Sequence, residues 1–252
     1  MRGFAMSIVV PQARKHLAAD ALFGLVRSGC ANVPDDRLSD LDISLTDALM
    51  AAFARFSLKS PSLLACDKER AEGNLATIDG LERVPCDTHM RERRDAVSPE
   101  ALRPVFKSVL RQVQRGKARE ALAFLDGHSL LALDGTGYFA SKTIPCPSCL
   151  QKGPRNGSIT YYPQMWGAAM VHPDVRAVIP LMPEPIMQHD GADKNDGERN
   201  AAKRFMTKLR RDPPHLQCSV TEDSLRSNAP HLETLQAHGL HSIVGIKEGD
   251  HA

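Results

Sequence analysis

Apolar positions follow two regimes along the chain. Up to about residue 126 they recur at helical spacing, and beyond Gly127 they gather in short β-prone runs. In the first regime Leu17, Ala21, Leu22 and Leu25 mark one side of a short helix over residues 16–26. Residues 32–41 are polar, with Pro34 and three Asp residues, and read as a loop. Residues 43–58 give the clearest helix: Ser44 can cap it with Asp47 three residues on, and Leu45, Leu49, Phe53 and Phe56 keep the period. Ser60-Pro61 restarts the chain, with Pro suited to a first helical turn. Residues 75–90 are irregular. Ser98-Pro99-Glu100 opens a helix that carries Leu102, Val105, Phe106, Val109, Leu110 and Val113 and ends at Gly116. A further short helix is predicted over residues 117–125.

In the second regime Leu130, Leu131, Ala132 and Leu133 read as a buried strand that ends in Asp134, followed by Gly135 and Gly137. Residues 158–171 and 175–186 read as strands. The Asn156-Gly157 and His172-Pro173-Asp174 turns fit antiparallel neighbours. Residues 196–211 form a helix that buries Ala201, Ala202, Phe205 and Leu209. A short run over residues 216–225 ends in Glu222 and Asp223. Ser227-Asn228-Ala229-Pro230 then opens a helix, and a last strand spans residues 243–247. The predicted class is α+β: a helical region over residues 1–126, then a mixed-sheet core over residues 127–252. The order β, β, β, α, β, α, β resembles an RNase H-like core, in which acids at strand ends meet at one edge.

The candidate chemistry sits at two of those strand ends. A buried carboxylate is costly without a partner. Asp134 alone fits an ordinary turn acid before Gly135. A second strand ending in an acid points instead to a shared site for Mg²⁺ or Mn²⁺, which take hard oxygen ligands. Two such ions about 4 Å apart serve phosphoryl transfer on nucleic acid. Glu222 competes with Asp223, and strand alternation lets only one of them face the site. The chain has 252 residues and a formal net charge of +2, which neither requires nor excludes nucleic acid. Local clusters must decide. Arg199, Lys203 and Arg204 on the basic helix are candidates for DNA phosphate contact, with a plain solvated face as the competing reading. Arg91, Arg93 and Arg94, and Arg111, Arg115, Lys117 and Arg119, are further clusters in the helical region.

Six cysteines spread over this length do not read as a disulfide framework and fit a reduced cytoplasmic setting. Cys146-Pro147-Ser148-Cys149 has zinc-ligand spacing but is half a Zn²⁺ site. His172 or His189 would have to complete it, and two free thiols in a loop is the alternative. No apolar run has the length of a membrane span, and the start lacks the pattern of a signal peptide.

Together the motifs resemble a known family. They are Ser44-Leu-Thr-Asp-Ala-Leu-Met50, Phe56-Ser-Leu-Lys-Ser-Pro-Ser-Leu-Leu64, Val84-Pro-Cys-Asp-Thr88, Gln114-Arg-Gly-Lys117, Leu133-Asp-Gly-Thr-Gly-Tyr138, Asp196-Gly-Glu-Arg-Asn-Ala-Ala-Lys-Arg204, Glu222-Asp-Ser-Leu225 and Gly249-Asp-His251. The chain resembles bacterial insertion-sequence transposases of the DDE type, in an unclassified group near the insertion-sequence-four set. The resemblance implies that Asp134 and Asp223 are the first two catalytic acids, holding Mg²⁺ or Mn²⁺. It also implies that the third, a Glu, lies on a helix beyond the last strand, so this chain is expected to be truncated and catalytically inactive or nearly so. The family usually shows Cys at the position of Gly197 and often His at that of Pro163, which marks a divergent copy. Implied partners are the terminal inverted repeats and target DNA, with a homodimer on DNA and a location at the bacterial nucleoid. The helical region would bind the repeats. Alternatives are a non-catalytic DNA-binding remnant that competes with a full-length transposase, or a different RNase H-like nuclease.

Overall fold

The computed structural model describes residues 15–35, 43–73, 81, 83–86, 88–90, 97–143, 149–153, 157–188, 194–223 and 228–246. The chain divides into two compact units, residues 9–117 and residues from 118 on.

The first unit is helical: α1 (Ala19–Ala31), α2 (Leu45–Ser57), α3 (Leu63–Ala71) and α4 (Arg103–Arg115). α1 runs past its predicted end, and Asn32 closes it by donating from Nδ2 to the Ser28 carbonyl at 2.8 Å. α2 begins where its cap predicts, with Ser44 Oγ accepting from the Asp47 N–H at 3.0 Å. Asp47 is buried, and its carboxylate is held by Arg27 of α1 at 3.2 Å. Pro61 lies one residue ahead of the α3 cap, Ser62, which accepts from the Ala65 N–H at 3.0 Å. A core cluster includes Cys30, Leu49, Met50, Ala51, Cys66, Leu81 and Met90. α4 follows a 3-10 turn (Pro99–Leu102) and buries Val105, Leu110 and Val113 at the predicted spacing.

α1 and α4 pack closely because position 29 has no side chain. A Cβ on Gly29 would lie 2.6 Å from Val105 Cγ2.

The second unit is built on a sheet of seven strands among the described residues. Its members are β1 (Ala123–Phe124), β2 (His128–Gly137), β5 (Gln164–His172), β6 (Val175–Pro180), β7 (Glu184–Ile186), β8 (Cys218–Glu222) and β9 (His241–Val244). The main path runs β6-β5-β2-β8-β9, with β1 on β2 and β7 on β5. β2, β5 and β6 pair antiparallel, whereas β8 is parallel to β2 and β9 parallel to β8. β3 (Leu150–Lys152) and β4 (Thr160–Tyr162) form a separate antiparallel pair. The class is α+β, helices first and a mixed sheet after.

Three predicted elements are divided differently. Residues 117–125 hold a 3-10 turn (Ala118–Leu122) and then β1, because Leu125, Asp126 and Gly127 take positive φ and fold β1 back on β2. Asp-Gly is a hairpin dipeptide, and it outweighs the helical spacing before it. The strand over residues 158–171 is divided at Pro163, so β4 and β5 join different sheets. The strand over residues 175–186 breaks before Glu184, and its halves pair with different stretches of β5.

α5 (Lys194–Arg211) lies between β7 and β8 and α6 (Ala229–Ala237) between β8 and β9, as parallel pairing requires. α5 buries Ala201, Ala202, Phe205 and Leu209, as its spacing predicts, and Met206 besides. Among the described residues no helix is long and apolar enough to cross a membrane.

Gly29→Val should lower the stability of the helical unit by about 1–3 kcal/mol through overpacking against Val105. Gly24→Ala on the same helix, with nothing within 4 Å of the added Cβ, should raise it by about 0.5–1 kcal/mol through helix propensity. Urea denaturation of the two variants measures both.

Candidate functional site

Asp134 does not occupy a turn. β2 continues through it to Gly137, and Asp134 stands opposite Gly167 in the antiparallel ladder with β5. Ser129, Leu131 and Leu133 are buried, so strand alternation sends Asp134 to the other face, where it is exposed. β8 runs parallel to β2, with Ser129 opposite Cys218 and Ala132 opposite Thr221. The pairing ends there, and the same register carried on two residues would bring Asp134 level with Asp223. Asp223 follows the last residue of β8 and is exposed.

The neighbouring acid is spent elsewhere. Glu222 is buried, and its Oε2 lies 2.6 Å from Nε2 of His231 in the first turn of α6. With the carboxylate ionised, Nε2 carries the shared proton. Asn228 caps the same helix by accepting from the His231 N–H at 3.2 Å. Of the two acids at this strand end, Glu222 therefore anchors and Asp223 is presented.

A third carboxylate lies close by. Glu198 on α5 is buried, and its Oε1 accepts from Gln164 Nε2 at 2.7 Å. It sits over Gly135, where a Cβ would lie 2.7 Å from Glu198 Oε1. Among the described residues, no group of three or more His, Cys, Asp or Glu side chains gathers closely enough to hold a metal ion.

The basic helix divides its cations between two tasks. Arg199 and Lys203 are exposed and line a cleft of about 520 Å³ with Asn200 and, from the start of α6, Asn228, Pro230, His231 and Thr234. Arg204 is engaged within the fold. It donates to Glu184 Oε1 at 2.8 Å and to the Pro185 carbonyl at 2.7 Å, and Lys208 reaches the same buried Glu184 at 2.7 Å. Arg210 donates to the Leu216, His238 and Gly239 carbonyls, and Arg211 pairs with Asp212. In the other clusters Arg111, Arg115 and Lys117 are exposed and Arg119 is half-buried, whereas Arg91, Arg93 and Arg94 lie outside the described residues.

No family model matches the chain, and no curated protein matches it. The site rests on its own geometry.

The zinc expectation needs correction. Cys149 is disulfide-bonded, and a disulfide sulfur is not the thiolate that zinc requires. Cys146 and His189 lie outside the described residues. His172 Nδ1 accepts from the Asp174 N–H at 3.1 Å within its own turn. The spacing of residues 146 and 149 suits a local disulfide as well as half a zinc site, and sequence alone does not separate the two.

Sequence reasoning missed the Glu222–His231 tie, the Glu184 anchor and the Glu198–Gln164 pair. An acid six residues before a helix cap is a weak signal, and a glycine after a strand-end Asp reads as a turn before it reads as a contact.

Arg204→Ala should lower stability by about 1–3 kcal/mol, because it removes one partner of a buried carboxylate. Lys203→Ala, at an exposed position, should leave stability within about 0.5 kcal/mol. Thermal unfolding of the two variants distinguishes anchor from surface. Cys218, on β8, has its thiol pushed up to about 11 by burial, with Arg210 opposing weakly. A thiol held neutral in the folded state loses its stabilising contribution once the unfolded chain deprotonates. Stability should therefore fall between about pH 9 and pH 11 and Cys218→Ala should flatten that fall, as denaturant midpoints across that range would report.

Proposed function

We propose that the chain acts on DNA as an insertion-sequence transposase does, binding element ends and cutting and joining strands with a divalent cation on an RNase H-like core. The observation that carries the reading is the parallel register of β2 and β8, in step as far as Ala132 opposite Thr221, with exposed Asp134 and Asp223 each two residues further on. The sheet order supports it. Three antiparallel strands on one side and two parallel additions on the other follow the strand arrangement expected of such a core. Arg199 and Lys203, exposed on α5, are the cations of this unit that we assign to backbone phosphates. Arg204 serves the fold through Glu184.

The donor set fits Mg²⁺ or Mn²⁺. Two carboxylates supply hard oxygens, and their exposure leaves room for the waters that Mg²⁺ retains. Asp134 and Asp223 would hold the ion. When bound, it would activate the attacking hydroxyl and stabilise the leaving oxygen. The chain's own contribution is to fix the acids. Asp134 is held in the ladder against Gly167, so its backbone cannot swing. Asp223 follows a strand end anchored by Glu222 and His231, which keeps the buried acid from competing for the ion.

Titration with Mn²⁺, followed by electron paramagnetic resonance, should show binding that Asp134→Asn and Asp223→Asn each weaken by tenfold or more. Duplex binding should weaken as salt rises, and joint Arg199→Ala and Lys203→Ala should reduce the slope of log affinity against log salt by about 2. Unchanged Mn²⁺ binding in Asp134→Asn would overturn the metal site. DNA binding with no Mg²⁺-dependent cleavage would favour a binding protein over an enzyme.

A further inference from the structure

The cleft between α5 and α6 contains a polar atom with no task so far. His231, in the first turn of α6, lines the cleft and is 8% exposed. Its Nε2 is spent on Glu222, whose Oε2 lies 2.6 Å away. Among the described residues its Nδ1 has no hydrogen-bond partner. A polar atom this enclosed is normally satisfied. A neutral imidazole held by a carboxylate at Nε2 carries its proton there and offers a lone pair at Nδ1. The cleft wall thus presents an acceptor in want of a donor.

The rest of the cleft favours negative charge. Arg199 and Lys203 stand one helical turn apart on α5, both exposed, and among the described residues that line the cleft none is acidic. The other wall is the start of α6, where the helix dipole leaves partial positive charge. Asn228 already accepts from the His231 N–H at 3.2 Å, so the helix adds its field there and not that donor. At about 520 Å³ the cleft has room for a phosphate group and bound water. Its two walls ask one ligand for two properties. The cations call for an oxyanion, and Nδ1 calls for a hydroxyl on it. A phosphodiester inside a strand has the charge but no hydroxyl. Sulfate has the charge but no proton near neutral pH. A phosphate monoester, whose second pKa is about 6, has both in a share of its molecules.

We propose that the cleft between α5 and α6 is a binding site for a phosphate monoester, with Arg199 and Lys203 meeting its oxyanion and His231 Nδ1 accepting its remaining proton. The site narrows the phosphate contact assigned above to these two cations, from the backbone of a strand to its end. It rests on that reading only for the source of the phosphate. The terminal phosphate of a DNA strand shares this chemistry with a free phosphate or a small phosphate ester.

The test is calorimetric titration of the whole chain with inorganic phosphate and with sulfate, near pH 6.5 and without divalent cations. Phosphate should bind about tenfold tighter than sulfate, and Lys203→Ala should weaken phosphate by about tenfold. Thr234→Tyr fills the cleft from α6 while leaving both cations in place, and it should abolish phosphate binding. Equal affinity for the two anions, or phosphate binding unchanged in Thr234→Tyr, would mean a patch of surface charge and would overturn the proposal. Glu222→Leu with His231→Leu removes the acceptor without stranding its partner. Phosphate should then bind no better than sulfate, and a surviving preference refutes the role of Nδ1. If that pair loses its cooperative unfolding transition, the sulfate comparison and Thr234→Tyr still decide. An oligonucleotide with a terminal phosphate is then compared with the same strand lacking it. Tighter binding of the phosphorylated strand, competed by phosphate and lost in Thr234→Tyr, supports the site and assigns it to a strand end. Phosphate binding without that preference supports the site and assigns it to a small phosphate ester. No metal enters these measurements, so their failure is separate from a failure of Mn²⁺ binding at Asp134 and Asp223.

Discussion

The parallel pairing of β2 with β8 is the constraint on which the sheet unit depends. Two parallel neighbours cannot be joined by a tight turn, so a long crossover must separate them in sequence. That crossover holds α5, and the next, between β8 and β9, holds α6. Both helices are therefore consequences of strand direction, as well as of amphipathic spacing. Parallel direction also brings the carboxyl ends of both strands to the same edge. The register is in step from Ser129 opposite Cys218 to Ala132 opposite Thr221, and Asp134 and Asp223 each lie two residues beyond it.

Buried carboxylates recur as fasteners in both units. Asp47 holds α1 to α2 through Arg27, and Glu184 holds β7 to α5 through Arg204 and Lys208. Glu222 holds the end of β8 to the start of α6 through His231. Each joins two different elements, and each partner is already pinned by its own helix or strand. Breaking one strands a charge in the interior, so such ties fix geometry more than they add stability. Next to an exposed acid this matters: the Glu222–His231 tie sets which residue of the strand end faces outward.

Much of this was legible in the sequence, and the reasons for the rest are physical. The Ser44 cap, the α4 stripe and the buried side of α5 were all readable because period and capping are local signals. Asp134 and Asp223 stood out because each ended a β-prone run. The bias of Asp-Gly toward hairpins was overlooked at residues 126 and 127, where φ turned positive. Strand breaks at Pro163 and before Glu184 depended on which neighbours β5 would accept, and that choice is tertiary. The task of Arg204 was not readable at all. A cation at helical spacing looks the same whether it meets solvent or a glutamate twenty residues away.

The separation of β2 from β8 also orders events in time. During synthesis β2, β5 and β6 leave the ribosome together, with only the His172–Val175 turn between the last two, and can pair at once. β8 is made after all of α5, so until then the inner edge of β2 has no partner. That edge carries Leu130, Leu131, Ala132 and Leu133, an apolar run with unpaired backbone groups, which is a template for any passing strand. Closing such a long loop is slow relative to forming a hairpin. The nascent chain thus passes through an interval in which the strand bearing its first acid is also its most adhesive segment.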